Sequence, residues 1–122
     1  MNYALSLAEK IRNSALALAD IETEIAIAKQ KLDALEAQAE GEAAMDATLK
    51  NDKQRTYAAF KALQANPEYE PLLEEIRQLT HDRSMTLAEL EFNRNQLSIS
   101  KLAQRSRIVD KLEQCELAEL AA

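Results

Sequence analysis

The side chains that could do chemistry in this chain are few, and their spacing decides which chemistry is open to them. His81 is the only histidine and Cys115 the only cysteine. A histidine acting as a general base needs an oriented partner, and one acting as a metal ligand needs further ligands at helical spacing. The residues three and four positions from His81 are Arg77, Gln78, Ser84 and Met85, and none is a carboxylate. His81 therefore reads as a solvated surface histidine. A lone cysteine makes neither an internal disulfide nor a multi-cysteine zinc site. Gly41 is the only glycine, so no phosphate-cradling loop and no Gly-x-Ser-x-Gly elbow can be written. The abundant Glu and Asp are not joined by any Glu-x-x-His pattern and read as a solvated face. The expectation is a non-enzymatic chain with no catalytic residue, cofactor or metal.

One run keeps a second reading. Lys101, Arg105, Arg107 and Lys111 have a basic bias because no acid occurs between Phe92 and Asp110. Contact with a phosphate backbone or an acidic partner protein is the functional interpretation of such a band. The plainer one is a solvated helix face, favoured by the absence of stacking aromatics from the band and by a formal net charge of −6.

The elements that must position these residues are helical. A length of 122 residues fits one domain, and an apolar fraction supplied largely by alanine suits a thin bundle better than a thick core. Both prolines, Pro67 and Pro71, fall in Asn66-Pro-Glu-Tyr-Glu-Pro71 near the midpoint. Because proline stops helices, this punctuation predicts an all-α antiparallel hairpin with arm one at about 2–65, a turn at about 66–71 and arm two at about 72–120. Arm one has a heptad seam in which Ala4, Ile11, Leu18, Ile25, Leu32 and Ala39 alternate with Leu7, Ser14, Ile21, Ala28, Leu35 and Glu42. Ile21, Ile25, Leu32 and Leu35 are its candidate core, and Gly41 marks an expected soft spot. Asn51 followed by Gln54 has a form close to a capping box and opens a short apolar-sided segment from Asp52 to about Ala65. Arm two places Leu72, Ile76, Leu79, Arg83, Leu87, Leu90, Arg94 and Leu97 on one face, after which the apolar phase shifts near Ser98-Ile99-Ser100, a change that implies a stutter in the supercoil or a locally loosened helix.

A fold-back at residue 66 makes facing positions sum to about 132. That register puts Lys53, Arg55 and Lys61 beside Glu70, Glu74, Glu75 and Asp82, sets Arg83 nearest Asp46, and lays Lys29 and Lys31 against the basic band. Off-seam apolar residues of arm one, Leu5, Leu16 and Ile27, call for further cover, so the hairpin is expected to form a homodimer with a four-helix bundle along part of its length. No basic start followed by an apolar run opens the chain, and no apolar stretch is long enough to span a bilayer. A cytoplasmic setting without membrane contact is the expectation.

Residues 49–63, Asn66-Pro-Glu-Tyr69, Leu72-Leu73 and Ala88-Glu-Leu-Glu-Phe-Asn-Arg-Asn-Gln-Leu-Ser98 together resemble a pattern of small uncharacterised helical proteins from phage and prophage-type gene sets. The resemblance covers roughly the middle half of the chain and leaves out the N-terminal arm. It implies a phage-associated or mobile-element accessory protein beside DNA-recombination functions and supplies no catalytic residue. The leading functional expectation is a coiled-coil scaffold or adaptor for an unidentified protein partner. Its rival is a nucleic-acid accessory protein acting through Lys101, Arg105, Arg107 and Lys111.

Overall fold

The computed structural model describes residues 3–121, so the expected start of the first arm near residue 2 lies outside it, as does the side chain of Leu5. Three helices follow in order: α1 (Tyr3–Met45), α2 (Asp52–Ala65) and α3 (Tyr69–Ala121). The long helices α1 and α3 pack antiparallel, and no strand occurs among the described residues. The expected hairpin is thus present in outline, but its parts are divided differently.

The chain reverses at residues 46–51, between α1 and α2, and not at residues 66–71. As residue numbers rise from α2 into α3, their partners descend along α1. Ala59 clusters with Ala43 and Ala39, Leu72 with Leu35, and Leu79 with Ala28, while Arg83 meets Glu22. Both α2 and α3 therefore belong to the returning arm. The reversal is made by local polar contacts. The Asp46 carboxylate accepts hydrogen bonds from Thr48 N at 2.9 Å and Thr48 Oγ1 at 2.6 Å. Asn51 caps α2 in extended geometry, its side chain accepting from Gln54 N at 2.8 Å, and Gln54 Oε1 accepts from Lys50 N at 2.7 Å. This is the reciprocal cap expected from the sequence, displaced by one residue on the return bond.

Asn66, Pro67 and Glu68 form a joint within the returning arm. Pro71 sits in the first turn of α3, where its missing N–H leaves no helical hydrogen bond unmade. Asn66 Oδ1 accepts from Glu68 N at 2.9 Å, which holds the joint. A proline at a helix start is equally compatible with a reversal and with a simple break. That is why the sequence expectation put the turn one joint too late.

The new register moves the charge pairs as well. Arg83 Nε meets Glu22 Oε1 at 3.2 Å, in place of Asp46, so facing numbers here sum to about 105. Arg55 pairs with Asp52 and Arg77 with Glu74, each within its own helix, and the expected ladder between Lys53, Arg55, Lys61 and Glu70, Glu74, Glu75, Asp82 does not form because α2 and α3 follow one another on the same arm. All three pairs are well exposed, and such pairs are worth only ~0 to 1 kcal/mol each.

The described residues divide into two compact units. In the first, Leu18–Met85, one cluster joins Ala28 with Leu72 and Leu79, flanked by Ile25, Leu32, Leu35 and Ile76. A second joins Ala39, Ala43 and Ala59, flanked by Leu49, Ala58 and Leu63. The buried α1 positions of this unit are alanines, Ala28, Ala39 and Ala43, and the larger Ile21, Ile25, Leu32 and Leu35 are half-buried. In the second unit, residues 3–17 with 86–121, the buried side chains are Leu7 and Ser14 from α1 and Leu90 and Asn93 from α3.

Every position of the α1 seam is buried or half-buried except Glu42, whose neighbour Ala43 takes the buried place. Gly41 causes no break: α1 continues to Met45, and a Cβ built on Gly41 would meet nothing within 4 Å. Near Ser98 the helix also runs on unbroken, with Ser98 Oγ donating to Arg94 O at 3.1 Å.

Two outcomes follow. Gly41→Ala should stabilise the chain by ~0.5 to 1 kcal/mol in urea denaturation, since helix propensity improves and no contact is disturbed. The hydrogen bonds from the Thr48 hydroxyl and amide hold the Asp46 carboxyl below the usual aspartate value. The bonds therefore help the turn above the ordinary carboxylate range, and their help is lost as pH falls through the lowered value. In Thr48→Val an NMR titration should find the Asp46 carboxyl moved up toward its ordinary value.

Candidate functional site

α3 carries two stripes, and the difference between them locates the surface that remains open. The stripe facing α1 recurs at Leu72, Leu79, Thr86, Asn93 and Ser100, every one buried or half-buried. Its seventh-residue spacing matches a coiled-coil seam, but its chemistry turns from leucine to polar side chains toward the C-terminal end. The next residue in the series is Arg107, which is exposed. Arg94, expected on this seam, is exposed too, because the stripe steps from Leu90 to Asn93 before reaching Leu97.

The second stripe is apolar and uncovered. Phe92, Ile99, Leu102, Val109, Leu112 and Leu120 are all exposed, and beyond Ser100 every described residue of α3 is exposed. At ~100° per residue Leu102, Val109 and Leu120 lie on the side of α3 turned away from the Asn93 and Ser100 stripe, with Phe92 and Ile99 on one flank of that side and Leu112 on the other. The phase shift read near Ser98 is thus the exchange of one stripe for the other. It is neither a stutter in one seam nor a loosened helix.

The basic residues are divided by the same geometry. Lys101, Arg105, Arg107 and Lys111 are all exposed on α3. Lys101 and Arg105 share one side, and Arg107 and Lys111 share another rotated by about 120°, so the helix does not gather them into one strip. Lys29 and Lys31 do not join them. Lys29 lies beside Thr80 and Arg83, and Lys31 lines a groove with Pro71, Leu72 and Glu75.

Elsewhere among the described residues no reactive constellation assembles. His81 is exposed on α3, and Cys115 is an exposed free thiol. Among the described residues no three His, Cys, Asp or Glu side chains come close enough to hold a metal ion. The groove between α1 and the start of α3 is lined by Lys31, Leu35, Pro67, Pro71, Leu72 and Glu75, a set without a nucleophile and a base in register. The groove between α1 and α2 contains Glu36, Glu40 and Asp52, of which Asp52 is engaged by Arg55. No described helix is long and apolar enough to cross a membrane.

One polar residue was not singled out by sequence reasoning. Asn93 is only 5 % exposed, and its Nδ2 makes no hydrogen bond among the described residues. Its place every seventh residue after Leu72, Leu79 and Thr86 was the available signal. A buried Asn in a helix seam disfavours other registers at a cost in stability. No family model, curated protein or solved structure matches this chain.

Asn93→Leu should raise stability by ~1 to 3 kcal/mol, the penalty of a desolvated unpaired amide. Equilibrium denaturation checks this, with the exposed Asn95 changed to Leu as the control that should move little.

Proposed function

We propose that this chain is a non-enzymatic helical adaptor that self-associates and offers helix faces to partner proteins. The observation that carries the reading is the run of seven exposed large apolar side chains from Ile99 to Leu120 on one continuous helix. Exposed apolar surface concentrated in one region marks an association site more often than a solvated face. Helical apolar residues of this kind are recognised by another helix, through contacts three and four residues apart. The four-helix form of the dimer draws on α1. Leu16 and Ile27, eleven residues apart on one side of α1, are the off-seam residues available for it.

The nucleic-acid reading, with Lys101, Arg105, Arg107 and Lys111 as phosphate contacts, has a local basic excess in its favour. Against it stand the division of these residues between two sides of α3 and a formal net charge of −6. The resemblance of the middle of the chain to phage-type helical proteins adds no residue to either reading.

Sedimentation equilibrium at micromolar concentration should give a dimer, and a monomer there would remove the self-association. A gel shift with single- and double-stranded DNA and RNA should show no binding at ~50 mM salt, where phosphate contacts are strongest. A shift that weakens steeply with salt, and flattens by about two units of slope when Arg105 and Arg107 are both neutralised, would replace the adaptor by the nucleic-acid reading.

A further inference from the structure

We infer that residues 101–121 of α3 are the dimerisation element and that they pair antiparallel with the same segment of a second copy, in a register where facing residue numbers sum to about 221. The inference rests on the self-association proposed above and names its surface, partner and register.

The segment has an unusual division of charge. Its basic residues, Lys101, Arg105, Arg107 and Lys111, lie toward its start, and its acids, Asp110, Glu113, Glu116 and Glu119, lie toward its end. A parallel pair would bring like charges level with each other. An antiparallel pair brings the basic half of each copy beside the acidic half of the other, and two-fold symmetry makes each match twice.

The apolar residues select the same arrangement. Leu102, Arg105, Val109, Leu112, Glu116 and Leu120 share one side of the helix at a spacing of three or four residues, and each is exposed. With facing numbers summing to about 221, Val109 meets Leu112, Leu102 meets Leu120, and Arg105 meets Glu116 of the second copy. At the flank of this stripe Lys101 meets Glu119. The two charged residues that interrupt the apolar stripe are thereby paired with each other, which neither a solvated face nor an arbitrary apolar partner would require. An overlap of ~20 residues is about 30 Å of helix at 1.5 Å per residue.

Sedimentation of full-length charge variants tests this. Arg105→Glu and Glu116→Arg, each alone, set like charges together twice per dimer and should each weaken dimerisation by ~10-fold or more. An equimolar mixture of the two single variants should recover a heterodimer of wild-type affinity, because each copy then meets opposite charge at both positions. The double variant R105E/E116R should also dimerise like the wild type. Dimerisation of both single variants at wild-type strength, or a mixture that stays monomeric, would overturn the tail register while leaving self-association to stand. A wild-type chain that is monomeric at high micromolar concentration would overturn both.

Orientation has its own readout. The antiparallel register separates the two Cys115 residues by about 9 positions, or ~14 Å along the helix axis, beyond the reach of a disulfide. Mild oxidation of the dimer should leave Cys115 free, and rapid Cys115 to Cys115 crosslinking would overturn the antiparallel arrangement.

Discussion

The narrow apolar stripe of α1 is the constraint on which the other features depend. With the small side chains of Ala28, Ala39 and Ala43 at its buried positions, the stripe buries little surface per turn, so helices must follow it over a long distance to gain enough apolar burial. The return path is supplied by α2 and α3 in succession. A joint in that arm is tolerated because the stripe is read in short clusters, one around Ala59 and another around Leu72 and Leu79, and neither needs a continuous helix at Pro67. The polar contacts of Asp46, Thr48, Asn51 and Gln54 set where the return begins, and hence which residues meet.

The gradient along α3 has a physical consequence. Where the stripe toward α1 is leucine, at Leu72 and Leu79, the packing supplies apolar burial. Where it becomes Thr86, Asn93 and Ser100, apolar burial is left to Leu90 of α3 and Leu7 of α1, and Asn93 adds an unpaired amide. The apolar residues have moved to the other side of the same helix, at Phe92, Ile99 and Leu102. One helix thus holds an inward face that grows more polar along its length and an outward face that gains exposed apolar residues. The exposed large apolar residues are densest in this stretch, where charges flank them, while others such as Leu16, Ile27 and Phe60 stand apart from one another.

Charge acts mainly on specificity in such a protein. The intrahelical pairs of Arg55 and Arg77 and the interhelical pair of Arg83 with Glu22 are all exposed to a degree that limits their stabilisation. Pairs within one helix persist in any register, whereas the interhelical pair of Arg83 with Glu22 disfavours alternative ones, as does the buried Asn93. The separation of basic and acidic residues within 101–121 follows the same logic for the intermolecular contact we propose, where complementarity selects partner and direction more than it adds affinity.

Local chemistry made much of this legible in advance. The helical content, the α1 seam, the Asn51 cap, the helix boundary at Asn66 and Pro67 and the change of apolar phase near Ser98 all depend on backbone preference and periodicity, which the sequence states directly. The place of the reversal, the partner of Arg83, the burial of Asn93 in preference to Arg94 and the absence of a single basic strip were decided by tertiary structure. A proline or a cap specifies where a helix starts, but not whether the chain then turns back or continues in the same direction. That choice is made by which stripe gains more burial against α1, a sum over contacts between residues about 20 to 60 positions apart that no local pattern contains. Moving the reversal from residues 66–71 to 46–51 shifted the facing register from a sum of about 132 to about 105, and every expected pairing across the helices shifted with it.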